Sequence, residues 1–127
     1  MNYLAILVAS IIGYIIGALW YSPLLFAKSW VKLSKNKSPE MKGSTYLLGF
    51  ISILIFNFVL SIIISYTGAS TFVEGMKIGA LLWVGFIATT LFGGVIYEKM
   101  PMKLFWITSI QYLIAMLIAS GILAIWS

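Results

Sequence analysis

The stretch GALWYSPLLFAKSW, Gly17 to Trp30, decides how this chain is read. An apolar helix runs into a proline, and the sequence beyond it is studded with lysine. Pro23 removes a backbone donor and biases Ser22 away from helical geometry, so the first helix is expected to kink or end there. Trp20 and Tyr21 then fall at the depth where aromatic side chains mark a membrane–water boundary. The stretch is a first passage from membrane interior to water, and the rest of the chain repeats that alternation.

Composition carries the same message. A soluble domain is about 45–50% apolar and about 25% charged, whereas these 127 residues are 62% hydrophobic and 9% charged, with a mean hydropathy of +1.09. Four apolar segments can be drawn, at Tyr3–Ser22, Tyr46–Tyr66, Gly75–Tyr97 and Leu104–Trp126. Each has the ~20 residues needed to cross a bilayer core. The runs lack the alternation of a membrane barrel, and lipid forbids unpaired backbone. The expected fold is an all-α integral membrane protein: one domain over 1–127, four transmembrane helices in an antiparallel bundle. Met1-Asn2-Tyr3 lacks the positive region of a secretory signal, so the first segment is read as a retained span.

The net charge of +5 comes from eight lysines against Glu40, Glu74 and Glu98. Lys28, Lys32, Lys35, Lys37 and Lys42 follow the first span, and Lys99 and Lys103 follow the third; Lys77 alone lies on the other side. This bias predicts a cytoplasmic loop over 24–44, both termini outside, and the cytoplasmic (inner) membrane as the location. Within that loop, Lys28, Lys32 and Lys35 share one helical face, and Phe26, Trp30 and Leu33 another. The spacing suits either a short interfacial amphipathic helix with its lysines on anionic lipid, or an extension of the first helix with snorkelling lysines. Nucleic acid is not an expected partner.

Two patterns inside the spans invite interpretation. Ala5, Ala9, Gly13 and Gly17 recur every fourth residue, a stripe that lets another helix approach closely, within the bundle or between copies in a homo-oligomer. Asn57, Ser61 and Ser65 form a polar stripe on the second span. Counted inward from the chain's turns, Thr89, Thr90 and Gln111 reach similar depth, with Tyr21 and Ser22 at the edge. Tyr21, Ser22, Asn57, Ser61, Thr89, Thr90 and Gln111 thus make a candidate polar layer, either a hydrogen-bonded packing layer or a ligand site.

Three segments also resemble a family of small bacterial membrane proteins designated DUF1761. They are Leu-Trp-Tyr-Ser-Pro (Leu19–Pro23), Gly-Phe-x-Ala-Thr-Thr (Gly85–Thr90) and the Glu-Lys-x-Pro turn (Glu98–Pro101). The resemblance spans essentially the whole chain. It implies a small polytopic membrane protein and supplies no activity, so no catalytic residue is carried over.

The chain has no Arg, His, Asp or Cys. Thiol, imidazole and disulfide chemistry are therefore absent, as are the commonest transition-metal ligands. No span holds an ionisable residue away from its ends, so neither an enzyme nor a pump coupled through an intramembrane carboxylate is expected. No catalytic, metal or cofactor site is predicted. Two function classes remain: a non-catalytic, homo-oligomeric bundle with a structural, accessory or lipid-associated role, and a passive channel or carrier for a neutral or amphipathic molecule.

Overall fold

A computed structural model describes residues 2–20 and 43–126. Four helices, α1 (Tyr3–Trp20), α2 (Gly43–Thr67), α3 (Phe72–Tyr97) and α4 (Met102–Ile125), are each long and apolar enough to cross a membrane. They pack as an antiparallel bundle, and the chain is a multi-pass membrane protein. The segment expected to hold an amphipathic helix, with Lys28, Lys32 and Lys35, lies outside the described residues, as do Tyr21 and Ser22.

Local signals set the helix ends. The Asn2 side-chain oxygen accepts from the Ala5 amide at 3.2 Å and so caps α1. The Thr71 hydroxyl accepts from the Glu74 amide at 3.1 Å, and Glu74 lies in the first turn of α3, where the helix dipole favours an anion. Gly68, at φ 74°, supplies the left-handed residue of the turn that ends α2. At the other end of the bundle Lys99 takes that conformation without being glycine (φ 56°), while the amides of Glu98 and Met100 both donate to the Gly94 carbonyl. Pro101, extended at ψ 139°, then starts α4.

The hub is α4. It contacts α1, α2 and α3, and it carries ten of the buried residues, among them Ser109, Met116, Ala119, Ser120 and Leu123. Its tightest neighbour is α3, through Gly75 and Gly79. A Cβ on Gly75 would strike the Ser120 carbonyl and stand 2.8 Å from the Ala124 methyl; one on Gly79 would strike the Ser120 hydroxyl and stand 2.9 Å from the Met116 carbonyl. Lipid gives apolar helices little reason to associate, so close backbone approach is how they gain van der Waals contact. On α4, Gly121 leaves room for the Phe72 ring in the same way.

Two indoles clamp α4 nearer its start. Trp20 of α1 donates to the Ile107 carbonyl at 2.8 Å, and Trp83 of α3 donates to the Ser109 carbonyl at 2.7 Å. These acceptors are two residues apart, about 200° around the helix at about 100° per residue, so the clamps come from opposite sides. Trp83 opens a π-helical turn, Trp83–Ala88. Beyond it the second half of α3 has no buried residue, and Val84, Phe86, Phe92 and Ile96 project from the bundle surface. On a membrane protein such side chains face lipid.

Gly79→Ala is expected to destabilise the bundle by about 1–3 kcal/mol through overpacking. Gly93→Ala, where an added Cβ meets nothing within 4 Å, is expected to leave stability unchanged or raise it by up to about 1 kcal/mol. Unfolding titrations in mixed micelles measure both, and equal effects of the two changes would contradict this packing.

Candidate functional site

The most polar point of the bundle core is a hydrogen-bonded pair. Asn57 of α2 is 3% exposed, and its amide donates to the Ser10 hydroxyl of α1 at 3.0 Å. Ser10, fully buried, passes its own proton to the Ile6 carbonyl one turn back at 2.7 Å. Ile6, Leu60, Ile64, Ala119 and Leu123 pack around this pair. A buried amide in lipid must find a partner, and Ser10 is that partner.

Two cavities are walled by α1, α2 and α4, the smaller also by the α2–α3 turn at Gly68, Ala69 and Ser70. The larger, an inner cleft of about 570 Å³, extends from Ala9, Asn57 and Ala119 towards Thr45 and Ala18. Its wall is mainly apolar, with Tyr14, Phe56 and Met116 among the bulky members and Thr45, Ser52, Asn57, Gln111 and Tyr112 among the polar ones. Small residues make the room: Gly13, Gly17 and Ala18 on α1, Gly49 on α2 and Ala115 on α4. The smaller cavity, about 320 Å³, lies where α1 begins and α4 ends, among Asn2, Ala5, Ser61, Ser65, Leu123 and Trp126.

The two chambers are offset by one helical turn on every wall. Ala5 faces the outer one and Ala9 the inner; Ser61 and Asn57 divide in the same way, as do Leu123 and Ala119. At 1.5 Å per residue the septum is about 6 Å thick, and the Ser10–Asn57 bond lies at its inner edge, where Asn57 lines the cleft.

The residues expected to form one polar layer are thus distributed over different places. Asn57 and Gln111 share the inner cleft, whereas Ser61 belongs to the outer cavity. Thr89 and Thr90 join neither: both are exposed on α3, which walls neither chamber, and the Thr89 hydroxyl bonds back to the Gly85 carbonyl at 2.7 Å. Depth along a helix does not fix the face a residue presents, and the π turn at Trp83–Ala88 adds a residue that swings the following positions round. The small-residue stripe of α1 points into the bundle. Ala5 and Ala9 are buried, a Cβ on Gly13 would stand 3.8 Å from Ile53, and one on Gly17 would stand 3.6 Å from the Gln111 amide nitrogen.

Several contributors had little signal in the sequence. Ser10 sits among apolar residues with no polar neighbour on its own helix. Gly75 and Gly79 are four apart, the spacing of a close-packing pair, but lie next to Glu74 and Lys77, which mark a span's end rather than its interface. Ser109 is fully buried and its hydroxyl has no partner among the described residues; nothing in the structure assigns it a task. Among those residues no group of three or more Asp or Glu side chains is placed to hold a metal.

The family model described as "Protein of unknown function (DUF1761)" matches residues 4–124, and the chain belongs to that family. No curated protein and no solved structure matches it.

Asn57→Leu is expected to destabilise the bundle by about 1–2 kcal/mol, because the hydrogen bond is lost while Ser10 keeps its bond to Ile6. Ser109→Ala is expected to be neutral or stabilising by up to about 1 kcal/mol, since it removes an unpaired buried hydroxyl. Unfolding titrations of the two variants provide the comparison, and a larger loss for Ser109→Ala would reverse the assignment.

Proposed function

We propose that this DUF1761 protein is a non-catalytic, lipid-associated membrane module whose inner cleft takes one amphipathic molecule. The observation that supports this is the cleft's make-up: about 570 Å³, walled mostly by apolar and glycine positions, with a few polar groups spaced along it. Ligand pockets have this character, in which apolar walls give affinity and a few polar groups fix orientation. Asn57, Gln111 and Tyr112 would receive a hydroxyl or carbonyl, and the apolar walls an acyl or other hydrocarbon chain. Lys99 and Lys103, exposed at the α3–α4 turn, suit anionic headgroups at the cytoplasmic face of the inner membrane, with both termini outside. Homo-oligomerisation belongs to the same reading, and the inward-facing stripe of α1 favours the outer face of α3, around Gly85, Thr89 and Gly93, as the seam.

One observation favours a second reading, a passive route for a neutral molecule: the outer and inner chambers lie on the same three helices, one turn apart. In that reading the helical turn between the two chambers, with Ser10–Asn57 at its inner edge, is the closed point of the route. Neither reading uses a catalytic group.

Native mass spectra of the protein released from nanodiscs test the first reading. One retained amphiphile per protomer is expected. Gly49→Leu, which sets a side chain into the cleft where a Cβ meets nothing within 4 Å, should lose it. A bare protein, or an adduct unchanged by Gly49→Leu, would refute the lipid-associated module.

A further inference from the structure

The outer cavity has a chemistry different from that of the cleft. None of the described residues lining it is ionisable, and hydroxyl and amide groups are set among apolar ones. The most buried polar residue in its wall is Ser61, 8% exposed, whose hydroxyl makes no hydrogen bond among the described residues. Its carbonyl is taken, since the Ser65 hydroxyl donates to it at 2.9 Å. Ser/Thr side chains in membrane helices often bond back to the preceding turn, as Ser10 and Ser120 do here. Ser61 does not, and its unpaired hydroxyl, not closed off in the protein as that of Ser109 is, opens onto the cavity, where a ligand can pair it.

The walls around Ser61 are held in place. The Asn2 amide donates to the Trp126 carbonyl at 3.0 Å, which ties the start of α1 to the end of α4, and its oxygen caps α1. Each end of that amide keeps one further site, a second N–H and a second lone pair. The Ser65 hydroxyl, its proton committed, still accepts. Trp126 and Leu123 supply apolar surface in the same lining. The cavity is therefore preformed, presents both donors and acceptors, and carries no charge on its described lining.

We propose that the outer cavity is a binding site for an uncharged polyhydroxyl group, with Ser61 as its most buried hydrogen-bonding contact. A hydroxyl both donates and accepts, which matches Ser61, Ser65 and Asn2. A carboxylate or ammonium would be desolvated there with no described counter-charge. The C–H face of a sugar-like ring suits Trp126 and Leu123. A volume of about 320 Å³ is at the small end of ligand pockets, which begin at about 300 Å³. The cavity sits at the helix ends, hence at one membrane face, so the group arrives either as a free sugar or as the headgroup of a neutral glycolipid. The septum separates this site from the cleft, and the two can succeed or fail independently.

Because the chain has no cysteine, Ser61→Cys introduces a single thiol with little change in shape. The full chain in nanodiscs is treated with N-methylmaleimide, a small neutral reagent, and the labelling rate is read in three settings. The discs contain phosphatidylcholine alone, phosphatidylcholine with free glucose, or phosphatidylcholine with a monoglucosyl diacylglycerol. The thiol should react in plain discs, and a ligand at about ten times its Kd should slow labelling about tenfold, by the factor 1 + [L]/Kd. Protection by glucose identifies a free polyol as occupant, and protection by the glycolipid alone identifies a headgroup. A thiol that never reacts, or one that reacts at the same rate in all three settings, overturns the proposal. If Ser61→Cys does not fold, Ser65→Cys on the same wall gives the same readout, and adding Ser61→Ala to it should then abolish protection. Amphiphile retention in native spectra of the same sample reports separately on the cleft.

Discussion

Backbone contact between α3 and α4 at Gly75 and Gly79 is the constraint on which the bundle depends. Inside a bilayer, burying a leucine against another leucine gains little over leaving it against an acyl chain. Helices must therefore come close enough for their main chains and small side chains to touch. Gly75 and Gly79 face Met116, Ser120 and Ala124 with no space for a methyl group, and this fixes the position of α4. With α4 held from one side, Ala5 and Ala9 of α1 complete the core from the other, while Trp20 and Trp83 pin the two neighbours to its carbonyls.

Close packing on one side of α4 contrasts with open packing on the other. Gly75 and Gly79 of α3 are closed off by the neighbouring backbone, whereas Gly13, Gly17 and Gly49 border the cleft. The same residue type thus does opposite things in the two halves. On α3 it brings main chains together, and on α1 and α2 it makes a chamber about 570 Å³ in volume. What separates that chamber from the outer one is short: a single helical turn on each wall.

The four helices were legible because hydrophobic length is a one-dimensional property, and a span of about 20 apolar residues has only one common use. The inward face of the Asn57–Ser61–Ser65 stripe was legible in part for the same reason: period determines that such residues share a face. Three-dimensional relations were not legible. The sequence places Thr89, Thr90 and Gln111 at one depth, yet a π turn at Trp83–Ala88 and the exposed setting of α3 keep the threonines out of both chambers. Ser10 gave no warning, because a single serine in an apolar helix ordinarily bonds to its own backbone; only the arrival of Asn57 at 3.0 Å makes it the core's acceptor. Ser61 and Asn57, one turn apart, read as a single stripe, but the septum runs between them.

The position of the hub in the chain has a consequence for how the protein is made. Both α1 and α3 find their main partner in α4, which is synthesised after them, whereas α2 packs most on α1. Within the described bundle, the only substantial contact among the first three runs between α1 and α2. Until α4 emerges, α3 has little to dock on, and its Gly75–Gly79 face is covered by lipid alone. Assembly is therefore a late and concerted step whose defining contacts join residues far apart in sequence, as between Asn2 and Trp126. A chain halted before α4 would hold three inserted helices and no bundle, the state most open to quality control or to pairing with a neighbouring copy.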